Sequence, residues 1–230
     1  MDRIDIIELK ETKLADNDAD ARSLREEMRR KGILYVNLMS SPGSGKTSVL
    51  MQTIRHLKST HRIGVMEADI DSAVDAERIA QTGVKAVQLH TGGMCHLDAD
   101  MSRQGLRALG DDGLDLVFLE NVGNLVCPAE FDTGAALNVA ILAVPEGDDK
   151  PLKYPLMFRV CDAVLINKMD SLPLFDFRLE KAREAILRRN PRAQIFPVSA
   201  RTGEGFGPWC EFLKVQFEQL RGGTKWLNSK

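Results

Sequence analysis

The 230-residue chain has little cysteine, few aromatic residues and no long apolar run. Four cysteines, Cys95, Cys127, Cys161 and Cys210, are too sparse for a disulfide framework in a chain this size, which leaves packing or metal binding as their work. No uninterrupted apolar stretch approaches the length of a membrane span, and Met1-Asp2-Arg3-Ile4-Asp5 does not open a secretory signal. The expected location is therefore the cytoplasm. Charge of one sign is also missing: 31 Lys and Arg stand against 33 Asp and Glu without a block of like charge. Composition thus gives no electrostatic reason to expect nucleic acid or an anionic membrane as partner. Neither an internal repeat nor a low-complexity segment is present, and the length suits one core with an N-terminal extension.

What is present begins with that extension. Residues 17–31 are strongly charged, with Leu24 and Met28 at helical spacing, and predict an exposed helix ending near Gly32. The expected division is a helical arm over 1–32, suited to docking or dimer contact, and one domain over 33–230. From Ile33 the pattern changes to short apolar runs, predicting strands at 33–39, 63–67, 86–89, 116–120, 139–144, 163–166 and 194–198. Helical patterns at 46–58, 74–81, 96–109, 175–189 and 207–220 lie between several of them or follow the last. This alternation predicts an α/β fold, a mostly parallel sheet with helices on both faces and ligands at the carboxyl ends of its strands.

The first strand runs into Ser40-Ser41-Pro42-Gly43-Ser44-Gly45-Lys46-Thr47 and then a helix, the order a phosphate-binding loop requires. Ser40 departs from the usual glycine at the first position. Gly43 and Gly45 let backbone N–H groups face phosphates, with Ser44 and Ser48 in the same cradle. Lys46 brings positive charge to the outer phosphates, and Thr47 offers its hydroxyl to magnesium. Glu120, ending a strand and followed by Asn121-Val122-Gly123, stands where many GTPases carry Asp-x-x-Gly and is a second candidate for Mg2+. Asp69 and Asp75 are further candidates, or else acids at the start of the 74–81 helix.

The base is named further on. In Asn167-Lys168-Met169-Asp170, after the apolar run 163–166, a carboxylate placed like Asp170 accepts hydrogen bonds from guanine N1–H and its 2-amino group, neither of which adenine offers. A site built around such buried polar groups penalises the ligand that leaves them unpaired, so the expected nucleotide is GTP. Ser199-Ala200, after the last strand, adds a loop whose backbone N–H can reach guanine O6. A small-molecule kinase on the same scaffold is the reading this guanine motif opposes.

Two features do not belong to a generic GTPase: Cys95-His96 in a glycine-rich loop, and Cys127 shortly after Glu120. Thiolate and imidazole donors suit zinc, nickel or copper and do not suit magnesium. Three such ligands leave a site incomplete, to be closed by water or by a second subunit around a symmetric dimer axis. Packing is the alternative for any free cysteine, and it is the reading for Cys161 and Cys210, which lie on apolar stretches. If Cys95 and Cys127 also merely pack, the chain is a metal-free GTPase regulator of protein assembly.

Taken in order, these motifs resemble the HypB family, the nickel-incorporation GTPases of hydrogenase maturation. The resemblance runs from about Ile33 to the C-terminus. It is most specific at 120–128, at Glu146-Gly147-Asp148-Asp149-Lys150-Pro151-Leu152-Lys153-Tyr154-Pro155, and at Cys95-His96-Leu97-Asp98. It implies a P-loop NTPase fold and GTP hydrolysis with Mg2+, with Lys46, Thr47 and Glu120 at the reaction. It implies that Cys95, His96 and Cys127 hold nickel or zinc at the interface of a GTP-dependent homodimer. It also implies a HypA-type nickel-binding maturation protein as partner, contacted in part by the N-terminal arm, and the large subunit of a nickel-iron hydrogenase as recipient. Neither the N-terminal cysteine motif nor the histidine-rich tract of some family members occurs before Ile33. The urease-type nickel GTPases are the nearest rival, but they usually carry Cys-Pro-His, whereas here Cys95 and His96 adjoin and Cys127 stands apart.

Overall fold

The computed structural model describes residues 6–8, 14–69 and 78–227, and side chains over 16–68 and 78–222. Eight strands are described: β1 (Ile6–Glu8), β2 (Leu34–Ser40), β3 (Ile63–Asp69), β4 (Lys85–His90), β5 (Leu116–Glu120), β6 (Leu137–Ala143), β7 (Ala163–Asn167) and β8 (Gln194–Pro197). They form one sheet in the order β1-β4-β3-β5-β2-β6-β7-β8, and every neighbouring pair is parallel. The central strand β2 has β5 on one side and β6 on the other, so the connections leaving it diverge. That divergence opens a crevice at the carboxyl ends, directly above the loop that follows β2.

The helices are α1 (Leu14–Lys31), α2 (Lys46–Leu57), α3 (Ala99–Leu109), the short α4 (Cys127–Glu130), α5 (Lys150–Lys153) and α6 (Pro155–Val160), then α7 (Leu179–Arg189) and α8 (Phe206–Leu227). Alternating β2 residues serve opposite faces. Leu34, Val36 and Leu38 pack with Leu50 of α2 and Trp209 of α8, while Tyr35 packs with Met101 and Leu106 of α3. A third cluster sets Leu142 and Ile166 against Met157 of α6 and Ile186 of α7. Burial on both faces explains why the strands read as near-continuous apolar runs.

The expectation of an exposed N-terminal helix is corrected. Leu24 and Met28 of α1 are buried in the same cluster as Tyr35 and Met101. Asn17 accepts from the Ala99 backbone N–H at 2.8 Å and donates to the Asp132 carbonyl at 3.0 Å, and Arg25 forks onto the Asp132 carboxylate. The high charge of α1 lies on its outer face, and the buried apolar stripe Ala21, Leu24 and Met28 seats the helix on the domain. The arm also contains β1, whose pairing with β4 extends the sheet at its edge.

Other differences sit at element ends. α3 begins at Ala99 because Asp98 caps it, accepting from the Met101 N–H at 2.8 Å, so Cys95 and His96 lie in the loop before it. The expected 175–189 helix begins at Leu179, after a 3-10 segment, Met169–Leu174, that contains Pro173. Of the expected 74–81 helix, 78–81 fall within the described residues; 78–80 are helical and Gln81 is in a turn.

Candidate nucleotide and metal site

The loop between β2 and α2 turns on glycine. Gly43 (φ 75°) and Gly45 (φ 95°) take left-handed backbone conformations. A Cβ at Gly45 would stand 2.7 Å from Asn167 Nδ2, so the loop also needs glycine there for closeness. α2 starts immediately after Gly45, and its N-terminal N–H groups face the crevice. Ser40, the departure from the usual glycine, is buried and its hydroxyl is saturated. It donates to the Ser41 carbonyl at 2.7 Å and accepts from Ser44 Oγ at 2.5 Å and from the Lys46 ammonium at 3.2 Å.

A cavity of about 420 Å3 opens over this loop, bounded by Gly43, Lys46, Thr47 and Ser48 on one side. Opposite them stand Glu67, Arg78, Glu120 and Gly123. Thr47 Oγ1 donates to Glu120 Oε1 at 2.7 Å. The register of β3 with β5 sets Glu67 directly beside Glu120, so two buried carboxylates and a threonine hydroxyl meet at one wall. An all-oxygen donor set of this kind fits magnesium. Asp75 lies outside the described residues, and Asp69 ends β3 with its side chain outside them.

The segments expected to read the base are stapled to the phosphate loop. Asn167, buried at the end of β7, donates to the Ser44 carbonyl at 2.9 Å and accepts from the Ala200 N–H at 3.1 Å. Lys168, the non-glycine residue with positive φ (62°) among those described, lays its ammonium on the Gly43 carbonyl at 2.7 Å. Asp170 accepts from Ser199 Oγ at 2.5 Å, and Arg201 reaches its other oxygen at 2.7 Å. The Ser199 hydroxyl, with Arg201 behind it, holds the Asp170 carboxyl below its ordinary value against the opposing effect of burial.

The candidate soft ligands also converge. Cys95 Sγ donates to Cys127 Sγ at 2.7 Å and lies 3.9 Å from His96 Nδ1, and the ligand atoms of the three residues fall within 4.8 Å of one another. Cys95 and Cys127 are half-buried, and His96 is buried with its ring stacked on Phe131, centroids 3.6 Å apart. The neighbouring Cys95 sulfur, followed by partial burial, raises the Cys127 thiol above its ordinary value. Cys161 and Cys210 are fully packed in the core, where burial pushes both thiols up, that of Cys210 to about 11.

Glu67, Arg78, Asn121 and Arg201 were not singled out from sequence. Glu67 reads as the end of an apolar strand, and only the β3–β5 register reveals its neighbour. Asn121 donates to Asn37 Oδ1 at 3.1 Å, and Asn37 donates to Asn138 Oδ1 at 3.0 Å, a buried amide chain invisible to periodicity.

Residues 34–197 match the family model for the CobW/HypB/UreG nucleotide-binding domain. The hydrogenase maturation factor HypB of Rhizobium leguminosarum bv. viciae is 47% identical over 210 residues, 91% of this chain and 70% of that protein. Among solved structures, HypB from Helicobacter pylori in complex with nickel superposes with a TM-score of 0.83 at 39% identity, covering 89% of this chain and 96% of that one. Hydrogenase maturation factor HypB from Archaeoglobus fulgidus gives 0.82, also at 39% identity, covering 88% and 99%. The chain therefore belongs to the CobW/HypB/UreG family, on its HypB branch.

Proposed function

We propose that this protein hydrolyses GTP to GDP and phosphate and uses that cycle to bind nickel, or zinc, and to release nickel for the maturation of a nickel-iron hydrogenase. The observation that carries the reading is adjacency in the chain. Glu120, hydrogen-bonded to Thr47 at the phosphate loop, and Cys127, whose free thiol lies 2.7 Å from that of Cys95, belong to one short segment, so the grip on cargo and the state of the nucleotide share one stretch of chain.

Phosphate-chain recognition falls to the α2 N-terminus, Gly43, Ser44, Gly45, Ser48 and Lys46, whose charges and dipoles favour the outer phosphates. Guanine selection falls to Asp170, with Asn167, Lys168, Ser199 and Ala200 holding it in place. Thr47, Glu120 and Glu67 are the residues that would hold Mg2+, with Asp75 a further candidate by sequence; an ion bound there would neutralise phosphate charge. Water is the nucleophile. The two cavity carboxylates, Glu67 and Glu120, are assigned to the metal and leave no separate base, so slow intrinsic turnover is the expectation.

Cys95, His96 and Cys127 supply the cargo ligands, and their soft character suits nickel or zinc. Three ligands call for closure by a second copy, and the 47% exposed Val126 beside Cys127 supplies apolar surface for that homodimer. A HypA-type maturation protein and the hydrogenase large subunit are the proposed partners, in the cytoplasm. No described helix is long and apolar enough to cross a membrane.

Comparing phosphate release from GTP and ATP, with metal analysis of wild-type protein and of Cys95→Ala and Cys127→Ala variants, tests the reading. It requires guanine preference and metal lost in both variants. Equal turnover of the two nucleotides, or metal retained after both substitutions, would contradict it.

A further inference from the structure

Between the two sites stands Asn124, a residue to which neither the nucleotide reading nor the metal reading gives a role. Its neighbour Gly123 is pressed against the phosphate loop. A Cβ at Gly123 would meet the Pro42 ring and backbone at 3.1 to 3.2 Å, tighter than ordinary contact, so a side chain there would crowd the phosphate loop. On the other side, Asn124 Nδ2 donates to Cys127 Sγ at 3.5 Å. Its own Oδ1 accepts from the Val126 N–H at 2.8 Å, which fixes the amide plane and aims the NH2 group at the sulfur.

An N–H donor directed at a sulfur orients it, as hydrogen-bonding partners of metal ligands do generally. Cys127 and Phe131 are linked, because Phe131 N–H donates to the Cys127 carbonyl at 3.3 Å, and the Phe131 ring stacks on the His96 imidazole. The Asn124 amide therefore touches one end of a connected set of contacts that carries one candidate ligand and reaches another. Any shift of Gly123 relative to Pro42 must pass through the next residue in the chain.

We infer that Asn124 is the positioning residue that makes the hold on the cargo metal depend on the nucleotide. With the γ-phosphate bound, Gly123 is held and the Asn124 N–H stays on the Cys127 sulfur. When it is lost, Gly123 and Asn124 move together, the sulfur loses its donor, and the metal is held less tightly. This deepens the proposed function and rests on it.

The test is nickel titration of the full chain in GDP and in a non-hydrolysable GTP analogue, for wild type, Asn124→Ala and Asn124→Ser. Serine keeps an oxygen that can accept from the Val126 N–H but is too short to reach the sulfur, so it separates the turn from the sulfur contact. Guanine-nucleotide affinity and melting temperature, measured alongside, report an intact fold. The expected result is nickel binding about tenfold weaker in the GTP-analogue state of both variants, with the ratio between nucleotide states falling toward one. If Asn124→Ser keeps the wild-type ratio, the residue serves only the turn and the inference is overturned. Equal nickel affinities in the two states of the wild type would instead overturn the proposed coupling, and this inference with it.

Discussion

The Ser40 hydroxyl accepts from the Lys46 ammonium at 3.2 Å inside the phosphate loop. A side chain thus occupies the position where such loops usually have glycine, and it leaves two of the three ammonium protons for phosphate. Ser40→Ala is expected to lower kcat about tenfold, on the order of 1.4 kcal/mol, with KM changed much less, because the lysine matters most where charge builds on the outer phosphates. Steady-state kinetics check this, and a variant that loses only melting temperature would assign Ser40 to packing.

Guanine selection is expected to follow Asp170. In Asp170→Asn the carboxylate that accepts from the 2-amino group becomes a carboxamide that can donate to a 2-oxo group. The variant should therefore lose GTP affinity and gain xanthosine triphosphate. Competition binding with the two nucleotides reads the exchange, and retained GTP preference would move base recognition elsewhere.

The same carboxylate gives a pH prediction. Its folded pKa is depressed, by the Ser199 hydroxyl first and then by Arg201. A depressed acid stays ionised below its ordinary value, so its contribution to folding is complete above pH 3.8 and is lost as pH falls through the lower folded value, where the carboxylate also ceases to accept from guanine. GDP affinity should stay level from neutral into mildly acidic buffer in wild type. Ser199→Ala should move the decline upward, and an unchanged profile would remove Ser199 from this role.

How much of this was legible in the sequence depends on the kind of signal. Strand and helix alternation, the phosphate loop and the Asn167 motif are local patterns, and the sheet follows from them. The seating of α1 was not legible, because the fifteen residues from Asn17 to Lys31 are mostly charged and the burial of Leu24 and Met28 is set by partners far along the chain. Glu67 was missed because a carboxylate closing an apolar strand has no signature until the register sets it beside Glu120. The convergence of Cys95 with Cys127 was expected, whereas Phe131 stacking on His96 depends on geometry that spacing does not carry.

Leu24 is fully buried, and a Cβ on Gly134 would fall 2.9 Å from it. Leu24→Ala should cost about 2 to 5 kcal/mol through lost burial and the cavity left behind. Denaturant unfolding measures it, and a change below about 0.5 kcal/mol would restore the picture of a detached arm.

Thiol chemistry separates the four cysteines. In native, metal-free protein, an alkylating reagent should modify Cys95 and Cys127 and spare Cys161 and Cys210, whose burial and raised thiol values keep them unreactive. Nickel should protect the first pair. Peptide mass mapping with and without the ion checks both statements, and equal labelling in the two conditions would remove the pair as ligands.

The central claim is that the nucleotide controls the grip on the metal. Nickel affinity of wild-type protein, titrated with GDP and with a non-hydrolysable GTP analogue at matched magnesium, tests it most directly. The account predicts tighter binding with the analogue, about tenfold or more, corresponding to a coupling of roughly 1.4 kcal/mol. Identical affinities in the two states would contradict it.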